Sequence, residues 1–582
     1  MKADEDNSLM EKINTPVESF QSYFKQTHHE NVVNFFDKMV EMSKIDIDAN
    51  RLTNKKITEN DKRIAGNEKA IKWQKIFKTF AIILMIISVL AIVFCVIKFN
   101  FNWVVVLAVG LIGLSIFIII KTKKRLDELY NIEGKLLKIS KKLHAEAEKQ
   151  MRPLNNLLYK NYNTELFTKT IPLVQFDETF LYKRLYYMED KFGFNAAEDE
   201  FNMEKSTLFV QSGEIKGNPF FIRDNLQHTM GTKVYEGSLR ISWETIEKDS
   251  SGNVKTVNHS QTLYASVEKP CPYYFTLSSL VYANETVDRL SFSRQPSNIH
   301  ELKERKVERF IKKKSKDIRK MAEYSTLKGG TFTALGNNEF DALFYAIDRD
   351  NEAQFRLLFT PFVQLQLTKI LKDNSVGYGD DFVYEKRKKI TYIYPKHLNH
   401  ATLNVQDDYF VGINYDLMRE NFITYHNSYF KEVFFTFAPL FAVPLYMQHQ
   451  PHEYIYKDSY KSYFSFYQHE MVVNCINIDE FEHPTSVTPN IVKTSLVKSS
   501  GNVDAISVTT WGYRTEERID YVSVYGGDGM WHDVPVHWDK YIKVTRERKI
   551  EIKASADVKD YFGSQSTANW FKVGRIYARI VK

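Results

Sequence analysis

The chain has 582 residues, enough for two or three domains, and 43% of them are hydrophobic. Aromatic residues reach 14%, which excludes extensive disorder because disordered segments are poor in aromatics. The formal net charge of +7 is small for this length and gives no case for nucleic-acid binding. The three cysteines form no CxxC pair, so neither a zinc ribbon nor a disulfide framework is indicated, as is typical of a reducing cytoplasm.

Residues 1–72 are predicted to form a cytoplasmic helical segment with breaks. Apolar residues recur at helical spacings from Phe20 to Val40, and the pattern then thins to Ile57, Ile64 and Ile71. The first residues are charged, and the first long apolar run begins only near residue 79, so no cleavable signal peptide is expected.

Two uncharged apolar runs, 79–97 and 103–120, are separated only by residues 98–102. Each run is close to the ~20 residues that a helix needs to cross a bilayer, where a helix satisfies its own backbone groups. Because the connection is so short, the two helices must be antiparallel. The sequence therefore predicts a transmembrane helical hairpin over 73–125, and the alternative is a buried hairpin of a soluble core.

Basic residues flank the hairpin on its outer ends. Four precede the first run, four follow the second, and the connection has only Lys98. The flanking residues are Lys69, Lys72, Lys75, Lys78, Lys121, Lys123, Lys124 and Arg125. Because positive residues near membrane ends stay cytoplasmic, we expect a plasma-membrane protein with two spans and both termini in the cytoplasm. Trp73 and Trp103 lie where interfacial aromatics are expected.

Residues 126–152 predict an amphipathic stalk helix that continues the second span. One apolar stripe is expected, formed by Leu126, Leu129, Ile132, Leu136, Ile139 and Leu143. Pro153 should end this helix. Because the hairpin holds the preceding and following segments together, we expect them to pair as an antiparallel stalk. The alternatives are separate packing on the globular part, or a homo-oligomer.

The rest of the chain is predicted to form a cytoplasmic α+β domain over 153–480 and a β-rich C-terminal domain over 481–582. Strands are expected over 207–210, 233–243, 254–257, 263–267, 389–394, 401–405, 409–414, 506–510, 519–524, 541–544 and 575–580. Turns are expected at 249–253 and 526–529, a helix start at Pro361, and a buried core segment at 434–446. The predicted fold class is α+β, with a helical N-terminus and transmembrane helical hairpin before these two domains.

One stretch resembles a known family. Residues 339–361, EFDALFYAIDRDNEAQFRLLFTP, begin with acidic and aromatic residues, pass through an acidic turn and end at Thr-Pro. With the hairpin layout, this resembles a bacterial membrane family called the domain of unknown function 3137 family, over the hairpin and residues 155–450. The chain departs from the family's phrase at 354–356, and its C-terminal segment exceeds the usual family length. The family has no established activity, so the resemblance implies architecture and supplies no catalytic residues.

Three pairs of histidines have spacings that could belong to a metal site. They are His397 with His400, His449 with His452, and His532 with His537 around Asp533. Zinc requires three or four convergent ligands, and a zincin requires HExxH on a helix. Pro451 opposes a helix in the second pair, and no cysteine supports any of them. We therefore predict no metal and no cofactor.

No catalytic residue is predicted. The sequence GYGDDF at 377–382 is similar to a polymerase hairpin with paired aspartates, but a turn with solvated aspartates is favoured because no other polymerase element is present. Lys328-Gly-Gly has the lysine before the glycines, the wrong order for a phosphate loop, and is interpreted as a turn.

A strongly basic helix is predicted over 302–321. Val307, Phe310, Ile311, Ile318 and Met321 mark an apolar face, and Lys314 intrudes on it. Lys312, Lys313, Lys314 and Lys316 are the candidate contact with an anionic surface. The alternative is a surface helix whose lysines are merely solvated.

These features favour a membrane-anchored, cytoplasm-facing binding or scaffold protein. Its expected partners are the bilayer through the hairpin, anionic lipid headgroups through the basic helix, and a protein through the stalk, but not nucleic acid. The alternatives are a hydrolase at the membrane surface, with an active site assembled from distant residues, and a subunit of a membrane complex.

Overall fold

The computed structural model has a mixed α+β fold with two long apolar helices and two antiparallel sheets. It describes residues 2–97, 103–158, 162–248, 254–406, 408–449, 460–476, 478–554 and 570–581. The connections predicted at 98–102 and 249–253, and His452, lie outside these residues.

The described helices are α1 (Lys2–Ile13), α2 (Pro16–Ser19), α3 (Lys25–Ser43), α4 (Ile47–Ile97), α5 (Trp103–Leu157), α6 (Asn163–Thr170), α7 (Tyr182–Phe192), α8 (Ala197–Glu200), α9 (Glu304–Leu327), α10 (Asn338–Phe344), α11 (Glu352–Leu358), α12 (Pro361–Lys372), α13 (Tyr415–Phe441) and α14 (Phe466–Cys475). Pro361 begins α12, as predicted, and the Thr360 side chain accepts a hydrogen bond from the Val363 N–H there.

The strands are β1 (Val174–Phe176), β2 (Lys205–Ile215), β3 (Asn218–Lys248), β4 (Val254–Ala283), β5 (Ser291–Arg294), β6 (Phe382–Arg387), β7 (Ile390–Pro395), β8 (Ile491–Ser500), β9 (Val503–Tyr525), β10 (Trp531–Ala554), β11 (Trp570–Val573) and β12 (Ile576–Val581). The first sheet has the order β1-β2-β3-β4-β7-β6-β5, and the second β11-β12-β10-β9-β8.

The chain divides into two compact units. One consists of Met1–Asn31, Asn161–Val405 and His426–Lys582, and contains both sheets. The other consists of Val32–Lys160 and Gln406–Tyr425, and contains α4 and α5.

In the sheet-containing unit, the seven-stranded sheet is covered on both faces. Side chains alternate between faces along a strand. Phe220 and Ile222 of β3 pack into a core with α10, α12 and α13, while Phe221 between them packs into a second core with α7 and α14. Ile506 and Ile550 of the second sheet also belong to the second core, so residues from both predicted globular domains share it. The segment 434–446 is buried, as predicted.

Two long β-hairpins extend this unit. β3 and β4 pair continuously from Phe220↔Tyr282 to Lys248↔Val254, and β9 and β10 pair from Trp531↔Tyr525 inward. The hairpins pack against each other through Ile241, Leu263 and Val534, and Leu239 and Trp243 lie on the same face as predicted. A Cβ at Gly237 would lie 2.1 Å from the Pro535 carbonyl oxygen, so the two backbones approach closely there. We call this pair of packed hairpins the β arm.

In the helical unit, α4 and α5 form an antiparallel pair whose seam residues recur at steps of three and four. Along the stalk the seam contains Ile71, Leu126 and Leu129, so the predicted pairing is present. The prediction that Ile132 and Ile139 belong to the same stripe was wrong, because their side chains are 43% and 47% exposed. They stand one position outside the seam, which passes through Glu133 and Ser140 instead.

Two further local predictions were wrong. α5 continues through Pro153 to Leu157. Met151 and Leu154, in its last two turns, are completely buried, so packing offsets the hydrogen bond that proline cannot make. Residues 401–405 and 409–414 are not strands. Their backbone is a loop, yet the apolar side chains of Leu403, Val405 and Phe410 are buried. Such a loop has the same alternating sequence pattern as a strand.

The two apolar helices are long and apolar enough to span a bilayer. In the most apolar 18-residue stretch of each helix, only 11% of the residues of α4 and 17% of those of α5 are buried. The core helix of a soluble protein is mostly buried. Large side chains such as Phe80, Leu90 and Phe117 point away from the seam and are exposed.

Candidate functional site

The predicted basic helix is α9, which has nine basic and four acidic residues. Val307 and Ile318 are buried, and Phe310 and Ile311 pack at the edge of the first core. This apolar stripe fixes the helix on its own unit and turns the opposite face outward. The alternative interpretation, a surface helix with solvated lysines, also requires the helix to pack on its own unit, and that packing is present.

The outward face of α9 carries a high density of positive charge. Its exposed basic residues, with the neighbouring N-cap, are Lys303, Arg305, Lys306, Arg309, Lys312, Lys313, Lys316, Arg319 and Lys320. Across the described part of the chain, none of these side chains makes an ion pair with a carboxylate. Their charges are therefore available to an external anion.

Lys314 differs from the other three candidate lysines. Its Nζ lies 3.6 Å from the centroid of the Tyr345 ring, and the side chain is partly buried. This cation–π contact holds Lys314 against its own unit, so it contributes to packing and not to the outward face. The candidate surface thus narrows to Lys312, Lys313 and Lys316.

The end of α9 explains the Lys328-Gly-Gly sequence. Gly329 has φ +73°, and the Gly330 N–H donates to the Ser325 carbonyl at 2.8 Å. Glycine adopts this left-handed conformation without the strain that a Cβ would cause, and it terminates helices for that reason. The predicted turn is confirmed.

The predicted histidine pairs do not converge with one another. His397 uses both ring nitrogens inside the unit: Nδ1 lies 2.5 Å from Asp381 Oδ2, and Nε2 lies 3.1 Å from the Glu432 carbonyl oxygen. His400 and His449 are exposed, and His532 and His537 contact different carboxylates, those of Asp528 and Glu517. Among the residues that the structure describes, no three His, Cys, Asp or Glu side chains are arranged to hold a metal ion.

The two aspartates of GYGDDF are not solvated, so that prediction was wrong. Asp380 forms a completely buried ion pair with Arg294 and accepts hydrogen bonds from the Ser297 N–H and hydroxyl, both at 2.7 Å. Asp381 instead accepts from His397. Because adjacent carboxylates are committed to different partners, they do not form a paired metal site.

A buried ionic cluster had no signal in the sequence. Asp199 contacts Lys205, Arg223 and the Tyr467 hydroxyl. Burial alone would raise the pKa of Asp199, but Arg223 and Lys205 outweigh it and hold that pKa below its usual range. These residues are up to 268 positions apart, so only the folded chain brings them together. They link α8, β2, β3 and α14, which is a structural role.

The β arm presents an exposed aromatic face near its tip. On the outer side of β9 and β10, Tyr521, Tyr525 and Trp531 are more than half exposed, and the last two rings are in contact at 5.5 Å. Ser523 and Asp533 form a cross-strand hydrogen bond of 2.5 Å between them. Exposed aromatic residues in such numbers are typical of an interaction surface. From the sequence, these two strands are predicted only over 506–510, 519–524 and 541–544, without an assignment of which side chains face outward.

No family model, curated protein or solved structure matches this chain.

Proposed function

We propose that this protein is a membrane-anchored binding or scaffold protein. The hairpin of α4 and α5 spans the plasma membrane, and both termini and the sheet-containing unit lie in the cytoplasm. The observation that carries the proposal is the outward exposure of large apolar side chains along both spans, which a bilayer would cover. The basic residues on both outer flanks support the orientation.

We further propose that the outward face of α9 contacts anionic headgroups of the same membrane. Each basic residue near an anionic leaflet contributes on the order of 1 kcal/mol, and this attraction fades within a Debye length of ~10 Å. The support is the set of exposed lysines without ion pairs among the described residues. The tethered unit cannot diffuse away, so a weak contact of this kind is sufficient to orient it.

The binding part of the proposal rests on the β arm. Its exposed aromatic face offers Tyr521, Tyr525 and Trp531 on a rigid pair of hairpins, and tyrosine and tryptophan are enriched in protein interfaces. A membrane complex of which this chain is one subunit would use such a face.

The topology is tested in intact cells with a tag on each terminus. Protease added outside should leave both tags uncut and should cut them after the membrane is opened. Cutting of either tag while an internal cytoplasmic marker stays protected contradicts the proposed orientation.

The α9 contact is tested with the full-length protein in vesicles. An amine-reactive reagent should modify Lys312, Lys313 and Lys316 several-fold more slowly in anionic vesicles than in neutral ones, and high salt should remove the difference. Lys498, an exposed lysine of β8, is the internal control and should react equally in both. Equal modification of the α9 lysines in both vesicle types contradicts the contact.

A charge-matched pair of variants sharpens this test. Lys312→Gln, Lys313→Gln and Lys316→Gln together should abolish the protection of Lys306 and Lys320 in anionic vesicles. The control removes three exposed lysines elsewhere, by Lys255→Gln, Lys498→Gln and Lys540→Gln, and should leave that protection intact. Equal loss of protection in both variants would show that the total charge of the protein, and not the α9 face, determines the contact.

A further inference from the structure

A small pocket lies in the sheet-containing unit between α7, α8, α14 and β8. Its volume is about 30 Å³, and its polar lining residues include Tyr182, Glu189, Glu200, Lys461, His469 and Thr494. A space of this size holds one or two water-sized groups. It therefore fits the end of a small ligand, not a whole substrate.

His469 is oriented in the pocket by a buried carboxylate. Its Nε2 lies 2.9 Å from Asp504 Oδ2, and only 3% of its side chain is exposed. Asp504 also accepts hydrogen bonds from the N–H groups of Tyr463 and Phe464. Burial would raise the pKa of Asp504, but these donors and His469 lower it, so Asp504 is an anion.

Asp504 accepts a hydrogen bond from the Nε2 atom of His469. Nε2 therefore carries a proton, and in the neutral imidazole Nδ1 is an acceptor. No hydrogen bond to Nδ1 is made by any residue that the structure describes. An acceptor at the wall of a pocket, without a hydrogen-bond partner among the described residues, is matched by a donor from a ligand.

Other polar groups of the pocket can also accept a hydrogen bond. The Thr494 Oγ1 atom is buried and has no hydrogen-bond partner among the described residues. Glu189 and Glu200 repel each other, and burial together with Glu200 raises the pKa of Glu189. The Nζ atom of Lys461 lies 3.3 Å from Glu200 Oε1, so this lysine balances the negative charge of one of the two carboxylates. Among the described residues, the lining therefore has two carboxylates, Glu189 and Glu200, and one lysine, Lys461.

We infer that this pocket binds the primary ammonium group of a small amine. An ammonium group has the size of a water molecule, carries the missing positive charge and offers three N–H donors. The carboxylate of Glu189, the Nδ1 atom of His469 and the Thr494 hydroxyl are the acceptors that the pocket offers to it. A quaternary ammonium ion lacks N–H donors and is too large, while an alcohol lacks the charge. This inference goes beyond the proposed anchoring and scaffold function and does not depend on it.

The test uses the full-length protein in phosphatidylcholine vesicles, with methylammonium chloride as the probe. Methylammonium should raise the Tm in a saturable manner, because a ligand that binds only the folded state stabilises it. Tetramethylammonium chloride and potassium chloride at the same ionic strength are the controls and should give no saturable shift. Equal shifts with tetramethylammonium, or no shift with methylammonium, would overturn the inference.

Two variants one residue apart provide the matched comparison. Glu189→Gln should weaken methylammonium binding at least tenfold and, without ligand, should raise the Tm because the repulsion with Glu200 is removed. Asp190→Asn loses the same charge from an exposed position of the same helix and should bind as the unmodified protein does. Unchanged binding by Glu189→Gln would overturn the inference, whatever its stability.

The same ammonium group occurs on the headgroup of phosphatidylethanolamine. If vesicles containing this lipid raise the Tm without added amine, and Glu189→Gln removes that rise, the ligand is the headgroup. If only soluble methylammonium has the effect, the ligand is a free amine. Failure of either arm leaves the topology and α9 tests unaffected, since those use other residues.

Discussion

The two halves of the α4–α5 hairpin have the same backbone geometry and opposite distributions of side chains. In the apolar half, the seam contains small residues at seven-residue steps, Ala81 and Ser88 facing Ala108 and Ser115, and the large apolar residues point outward. In the stalk half, Ile71, Leu126 and Leu129 fill the seam and charged residues point outward.

The proposed membrane anchor requires such a contrast, because one half of the helix pair would lie in lipid and the other half in water. In lipid there is no hydrophobic force between helices, so they associate through close contact of small residues. In water, burial of large apolar side chains drives association. The stalk seam also holds Asn60 and Asn67, whose side chains donate to the carbonyl oxygens of Leu136 and Leu129 at 3.2 Å and 3.0 Å. Polar residues at such positions fix the register of a helix pair.

The largest expected effect comes from placing charge on the outward face of the apolar half, because this removes the difference between the two halves. Leu90→Arg with Leu114→Arg should prevent stable insertion, because an arginine near the centre of a span costs about 3 kcal/mol. Membrane fractionation measures the loss. Leu52→Arg with Leu137→Arg, at exposed positions of the stalk, should leave the protein in the membrane fraction. Equal loss in both pairs would argue against the bilayer assignment.

Acid should affect the sheet-containing unit and spare the hairpin. His28 is stacked on Phe430 with ring centroids 3.9 Å apart, and burial lowers its pKa to about 3 despite a hydrogen bond with the His426 carbonyl. Burial also lowers the pKa of His426 to about 3. When unfolded, both protonate near 6.5, so the unfolded state binds more protons between pH 6.5 and 3.

Stability contributed by these two histidines is therefore complete above pH 6.5 and is lost as the pH falls toward 3. At pH 5.5 the loss should be about 1.4 kcal/mol for each histidine. Denaturant unfolding at pH 7.5 and 5.5 measures it. His28→Asn should reduce the pH dependence, whereas His144→Gln, at an exposed stalk position, should not. A flat profile in the unmodified protein would contradict the assignment.

Overpacking the apolar seam should have a smaller effect. Ser115 is completely buried, so Ser115→Leu would force α4 and α5 apart at a cost of about 1–3 kcal/mol. Unfolding of the protein in detergent micelles measures the change. Ile116→Leu, on the neighbouring outward position, is the control and should be nearly neutral.

The smallest expected effect concerns the stalk seam. Asn67→Leu should increase stability by up to about 1 kcal/mol, since the leucine adds to the Ile71–Leu126–Leu129 cluster. It should also loosen the register, seen as a broader distance distribution between spin labels on the two helices. Glu59→Leu, at an exposed position of α4, should not broaden it. A narrow distribution in Asn67→Leu would show that the asparagine does not set the register.

Some elements were predictable because their signals are local. The two apolar runs, the start of α12 at Pro361, the turn at Gly329 and the alternation of Leu239, Ile241 and Trp243 depend on neighbouring residues alone. The predicted strands at 401–405 and 409–414 failed because a buried loop and a strand give the same apolar pattern. Backbone pairing, which distinguishes them, depends on distant residues.

By itself, the sequence determined the uncharged hairpin, its basic flanks and the charge of α9, since each is a property of consecutive residues. Only the tertiary structure decided that Lys314 packs on Tyr345 while Lys312, Lys313 and Lys316 face outward. It alone also placed Glu189, His469 and Thr494 around one pocket, although more than 300 residues separate the first from the last. Proximity between such distant residues arises from packing of the whole core, which no local pattern encodes.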